Sequence, residues 1–247
     1  VTVPIIMYHN ISYQQASLSS HTITPDQFES DLAFIYEKGY TPITMTKLIN
    51  YILKGSELPQ KPVIITFDDG FESVYNHAYP ILIKYNACAV VPVVGAYIDY
   101  FSDLDHNTAG YTYLSWEKIT EMSKSPNIEL QDHSYNMHNQ SGSRIGVLKK
   151  TDETFAAYRT ALMEDLSKNG KLIFKCTGTK PNTFAAPYGY ITEETKGIIG
   201  NMGYSAILTY EPKVNTVSRK EDLMNLGRFS RPHGISSEDF FSKILIY

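Results

Sequence analysis

Lys61-Pro62-Val63-Ile64-Ile65-Thr66-Phe67-Asp68-Asp69-Gly70 is an apolar, mostly β-branched run that stops abruptly at two adjacent carboxylates and a glycine. Val63, Ile64 and Ile65 suit a strand covered on both faces, as in a parallel α/β sheet, and Gly70 allows a sharp exit from it. Functional sites in such sheets lie at the carboxyl ends of the strands. Two acids side by side there repel one another unless something cationic neutralises them, and a bound metal ion would do so.

Working outward, residues 3–8 form a short apolar run ending in His9-Asn10, read as a first strand with polar residues at its tip. Thr24-Pro25-Asp26-Gln27 opens a helix, with Thr24 as N-cap, Pro25 in the first turn and Gln27 completing a capping box. Phe28, Leu32 and Ile35 share one face of it, and Gly39 ends it. Further helices are expected over 46–53, over 72–85 with a kink at Pro80, and from Ser115 to Met122. Others are expected over 151–167, with Phe155, Tyr158, Leu162 and Leu166 inward, from Thr192 and from Ser237. Strands are expected at 87–95, 128–131, 183–186 and 205–209, and residues 98–113 read as a long polar, aromatic loop able to cover a site. Strands alternating with helices, without repeats or a low-complexity linker, indicate one α/β domain with a parallel barrel or open sheet.

The totals narrow the function. A net charge of −4 without long like-charge runs gives no footprint for nucleic acid or an anionic membrane, so a neutral or cationic substrate fits better. Tyrosine-rich loops suit sugar rings, which combine apolar faces with hydroxyls. Cys88 and Cys176 are expected as two buried free thiols. No stretch approaches the ~20 apolar residues of a membrane span.

Three other strand ends carry chemistry: His133 and His138, then Ala186-Pro187-Tyr188-Gly189, then Arg228 through His233-Gly234. His133 and His138 would lie about 140° apart on a helix and on opposite faces of a strand, so they can share one ion only from a turning loop. Asn136 is a residue that eases such a turn. With a carboxylate they would make a two-histidine, one-carboxylate site with open positions, the mark of a catalytic metal.

Thr66-Phe67-Asp68-Asp69-Gly70, then His133-Ser134 with a second histidine, then Pro187-Tyr188-Gly189, in that order, resemble the polysaccharide deacetylases of carbohydrate esterase family 4. Met7-Tyr8-His9 and the Phe28 helix also look like the amino-terminal part of many bacterial members, so the resemblance covers nearly the whole chain. It implies a distorted (β/α)7-type barrel and a catalytic domain spanning residues 1–247. It implies Asp69, His133 and His138 as metal ligands, Asp68 as the base acting on the water that the metal activates, and the backbone N–H of Tyr188, in a turn fixed by Pro187, as oxyanion donor. His233 falls where the family's last motif places its acid. Zinc is the expected ion, with cobalt, nickel or iron as alternatives.

Two departures stand out. Many members space the histidines by four and carry an arginine where Ala185 stands here. Arg228 or Arg231 is the expected substitute for orienting Asp68. The longer histidine spacing resembles the branch acting on poly-β-1,6-N-acetylglucosamine, implying an acetylated amino-sugar polymer as substrate. A monomer at the cell surface or outside the cell is expected, its export signal trimmed ahead of Val1. Alternatives are an O-acetyl xylan esterase or a carbohydrate-binding relative without catalysis. A glycosidase using Asp68 and Asp69 is disfavoured, because adjacent carboxylates cannot readily flank a glycosidic bond at the ~5 Å or more such mechanisms need.

Overall fold

The structure, a computed structural model, describes residues 1–103 and 112–245. Its frame is a curled parallel sheet of seven successive strands: β1 (Ile5–Tyr8), β2 (Pro62–Phe67), β3 (Ala89–Val93), β4 (Ile128–Asp132), β5 (Thr183–Ala185), β6 (Ala206–Leu208) and β7 (Phe229–Ser230). Their spatial order is β6-β5-β4-β3-β2-β1-β7, and a short strand, Thr41–Pro42, adds beside β2. Beyond β6 an isolated bridge pairs Leu208 with Leu226, ahead of β7, and the Leu226 N–H donates to the Ile207 carbonyl while the Thr209 N–H donates to that of Leu226. This is the distorted, single-domain (β/α) barrel that the sequence implied.

Around the sheet lie α1 (Pro25–Glu37), α2 (Met45–Lys54), α3 (Tyr79–Lys84), α4 (Gly95–Ser102), α5 (Trp116–Met122), α6 (Phe155–Thr177), α7 (Glu193–Asn201) and α8 (Ser237–Phe241). The local chemistry explains their ends. The hydroxyls of Thr24, Thr44, Ser115, Thr154, Thr192 and Ser236 each accept a backbone N–H in the first turn of the helix that follows. Gly55 and Gly178 close α2 and α6 in the left-handed conformation.

Alternation along β2 explains why its whole run is apolar. Val63, Ile65 and Phe67 pack outward in a large cluster with α1 residues Phe28, Leu32 and Ile35. Ile64 packs inward with Ile5, Val90, Ala185, Ala206 and Leu208, joined by Met45, Leu48 and Ile49 of α2. Both faces are therefore core, and each such buried side chain contributes roughly 1.5–3 kcal/mol. The same period puts Thr66 and Asp68 on the inner face with Ile64.

Some elements differ from the sequence expectation. Residues 74–78 form a π-helical segment (Val74–Ala78) ahead of α3, so the irregularity precedes Pro80 rather than sitting at it. Helix α6 runs on through Gly170 to Thr177, because Ile173 adds another buried turn beyond 167. Phe155, expected inward, is 50% exposed. Ile98 belongs to α4 rather than to a loop, and the remaining expectation for a covering loop falls on 104–111, outside the described residues. Cys88 and Cys176 are free but half-buried. Among the described residues, no helix is long and apolar enough to cross a membrane.

Candidate active site

At the carboxyl end of the barrel, a cavity of about 330 Å³ is lined by residues from several strand ends. Parallel pairing assembles it. Tyr8 is in register with Phe67, and the Asp68 N–H donates to the Tyr8 carbonyl, so His9 and Asp68 come off adjacent strands at the same level. Both line the cavity. His133 follows β4 directly, its N–H donating to the carbonyl of Val93 at 3.1 Å.

Asp69, His133 and His138 converge, each offering one ligand atom, and these atoms lie within 4.8 Å of one another. The Nδ1 of His133 lies 2.7 Å from the carbonyl of Ala185, which can only accept, so Nδ1 carries the proton. Its Nε2 lies 3.3 Å from Asp69 Oδ1. His138 is arranged alike: Nδ1 meets the Tyr188 hydroxyl at 3.2 Å, that hydroxyl donates to the His138 carbonyl, and Nε2 lies 3.1 Å from the same Asp69 oxygen. A proton on each Nε2 or a cation among the three groups would satisfy this approach, and two imidazoles with one carboxylate suit a divalent ion with positions left open. The residues thus fit the metal that the sequence implied. The same convergence holds the Asp69 carboxyl well below its ordinary value against the opposing effect of burial. Burial likewise opposes, without preventing, a raised pKa at His133.

Backbone strain marks the same residues. Asp69 (φ 71°), Ser134 (φ 73°) and Tyr188 (φ 57°) are all left-handed without being glycine, a conformation that costs roughly 1–3 kcal/mol apiece and persists where the surroundings impose it. The turn that brings His138 back to His133 is made at Ser134, not at Asn136. Gly189 needs to be glycine twice over: its φ is +73°, and an added Cβ would lie 2.4 Å from the Cβ of Tyr210.

The structure separates the two arginines. Arg228, buried, donates from Nη1 to Asp68 Oδ1 at 2.7 Å and to Thr66 Oγ1 at 3.2 Å, and from Nε to the Thr209 carbonyl at 3.0 Å. Burial pushes the Asp68 carboxyl up, but the Arg228 guanidinium, with His133 and His9 nearby, reverses this and holds it below its ordinary value. Arg231 does not reach Asp68. It is clamped two-pronged on Asp31, at 2.8 and 2.9 Å.

His233 is also absent from the cavity wall. It is exposed, with Nδ1 3.0 Å from Gln27 Oε1 and its backbone N–H on the Ser19 carbonyl. His9, by contrast, lines the cavity; among the described residues its buried Nδ1 has no hydrogen-bond partner, and its ring is edge-on to that of His21 with centroids 4.9 Å apart. Burial lowers the His9 pKa, and the Asp69 and Asp68 carboxylates oppose that. The signals for His9 in the sequence were its place at a strand tip and the resemblance of Met7-Tyr8-His9 to the amino-terminal part of many bacterial family members. Pro187 and Tyr188 sit beside the histidines, with the Tyr188 ring 4.7 Å from that of His138.

A parallel barrel whose strand ends bring together a carboxylate and two imidazoles able to hold a metal ion, beside a separate buried carboxylate, is an architecture suited to metal-assisted hydrolysis. The sequence profile of the family described as polysaccharide deacetylase matches residues 55–207, and the chain belongs to that family. The chain is 27% identical over 240 residues to a poly-β-1,6-N-acetyl-D-glucosamine N-deacetylase of Escherichia coli (strain K12), covering 88% of this chain but only 35% of that protein. It is 26% identical over 228 residues to the protein of the same name from Staphylococcus aureus (strain MRSA252), covering 92% of this chain and 72% of that protein. The solved structure of a de-N-acetylase from Aggregatibacter actinomycetemcomitans superposes with a TM-score of 0.81 at 24% identity, over 99% of this chain and 98% of that one.

Proposed function

We propose that residues 1–247 act as one catalytic domain that removes N-acetyl groups from a neutral polymer containing N-acetylglucosamine, of the β-1,6-linked kind for which the E. coli and S. aureus relatives are named. The observation that carries the reading is the convergence of Asp69, His133 and His138 on one point of the cavity, with Asp68 separately gripped by Arg228. Asp69, His133 and His138 would hold a divalent ion, zinc first and cobalt, nickel or iron as alternatives. When bound, that ion supplies polarisation of the amide carbonyl and makes water more acidic.

The protein groups supply the rest. Asp68, kept ionised and oriented by Arg228, takes the proton from the attacking water. The backbone N–H of Tyr188 receives the negative charge that develops on the former carbonyl oxygen. An amine leaves poorly unless protonated, and His9 is the imidazole positioned to serve as that acid, replacing the sequence expectation of His233. The same reading carries a role at the cell surface or outside the cell.

Acetate release from an N-acetylated β-1,6-glucosamine oligomer tests the proposal. Activity should vanish with a chelator and return with added zinc or cobalt. Release that persists without metal, or that is faster from O-acetylated xylan at matched acetyl concentration, would overturn it.

A further inference from the structure

The two histidine ligands are joined by a loop with no regular structure, and its shape is imposed from behind. Four successive backbone N–H groups are taken by side chains: that of Ser134 by Asp132 Oδ1 at 2.8 Å, those of Tyr135 and Asn136 by the two oxygens of Asp165 at 2.8 Å each, and that of Met137 by Ser134 Oγ at 3.2 Å. Asp165 stands on α6. One turn further along the same face, the fully buried Asn169 donates to Asp132 Oδ1 at 2.8 Å and to the Val93 carbonyl at 2.9 Å. These two acceptors fix the orientation of its amide, and among the described residues its Oδ1 has no hydrogen-bond partner. It faces Gly95, where an added Cβ would lie 2.3 Å away.

We propose that Asp165 and Asn169 are positioning residues of the metal centre, so that one face of α6 sets the separation of the His133 and His138 imidazoles and hence how tightly a divalent ion is held. Asp165 holds the loop at its apex, between the two ligands. Asn169 holds it at its root, through the aspartate that precedes His133. Neither residue touches a ligand side chain. Both act on the main chain that carries the ligands, and groups that orient metal ligands from behind are typically worth roughly 10–100-fold in metal affinity.

The inference rests on the metal reading above, and one set of titrations separates their failures. Zinc and cobalt dissociation constants are measured for the metal-stripped wild type, Asp165→Asn, Asn169→Ser and Lys168→Ala, with the visible spectrum of each cobalt form and thermal unfolding of each metal-free protein. Asp165→Asn is close to isosteric but turns an amide nitrogen toward a backbone N–H. Its dissociation constant should rise by roughly 10–100-fold and its cobalt bands should shift, more than any change in metal-free stability explains. Asn169→Ser should do the same and serves as the test should Asp165→Asn fail to fold. Lys168 packs its ammonium over the Tyr135 ring at 3.5 Å without holding the loop's main chain, so Lys168→Ala should stay within about twofold of wild type. Unchanged affinity and spectra in both positioning variants, or an equal loss in Lys168→Ala, would overturn the inference alone. A wild type that binds neither ion would overturn the metal reading and the inference with it.

Discussion

Arg228 and Arg231 flank the same short strand, both are buried and each grips an aspartate from the amino-terminal half of the chain, yet the two pairs are built for different ends. Asp31 is fully enclosed and fully committed: besides Arg231 it accepts from the Tyr8 hydroxyl at 2.9 Å and the Ser237 hydroxyl at 2.7 Å. Arg231 spends its remaining donors on the carbonyls of Pro232 and Ile235. That network ties β1, α1 and the segment before α8 together. Asp68, by contrast, lines the cavity, and Arg228 holds one of its oxygens while anchoring itself to Thr66 and Thr209. A closed pair specifies structure, whereas a pair open to a cavity leaves a carboxylate oriented and ionised where a substrate can reach it.

The largest effects should come from the open pair and its neighbours. Asp68→Asn removes the proton acceptor and should lower turnover by roughly 10²–10⁴-fold while the purified protein keeps its metal. Asp69→Asn removes a ligand carboxylate, so metal content after dialysis should fall steeply and activity should recover in part at high added metal. Elemental analysis of both variants decides the roles: loss of metal from Asp68→Asn with retention in Asp69→Asn would reverse them. His9→Ala should cost a comparable factor on amides and far less on activated aryl esters, whose phenolate leaves without a proton. Equal losses on both substrates would remove His9 from the acid role.

Next come the arginines themselves, which should trade their effects. Arg231→Met strands Asp31 and its partners in the core and should cost roughly 3–5 kcal/mol of stability, read by urea unfolding, with turnover per folded molecule near wild type. Arg228→Met should cost less stability, because Asp68 retains His133 and the cavity around it, and more turnover, because the base is no longer held. If the two variants show the same ratio of lost stability to lost turnover, the distinction between a closed and an open pair fails.

How far the sequence reached follows the same division. The β2 run and its terminal acids were legible because local chemistry alone, a buried strand ending in Asp68-Asp69-Gly70, demands an edge position. The spacing of His133 and His138 was legible as a turning loop for the same reason. His9 was not, and Arg228 was legible only as one of a pair with Arg231, because their placement comes from register between distant strands: Tyr8 pairs with Phe67, and Arg228 reaches across to Thr66 and Asp68. Nothing within residues 228–233 tells which arginine faces inward. Phe155 was misread because a helical period gives a face but not where the covering layer ends, and the first turn of α6 projects beyond it.

The smallest expected effect is the sharpest check on that lesson. His233 stands two residues beyond the closed pair, in a segment that Arg231 and Gln27 pin by their bonds to the carbonyls of Pro232 and Ile235. Its imidazole is exposed and meets Gln27 rather than the cavity, so it belongs with the structural pair and not with the catalytic one. His233→Ala removes one exposed hydrogen bond, worth about 0.5–1.5 kcal/mol at most. The pinning bonds from Arg231 stay in place, and the cavity wall is untouched. Turnover on the amide substrate should therefore stay within about twofold of wild type, and the ratio of amide to aryl-ester activity should not move, since no proton on the leaving amine passes through this residue. A selective loss on the amide alone would show that His233 reaches the leaving group after all. It would return to His233 the acid role proposed above for His9.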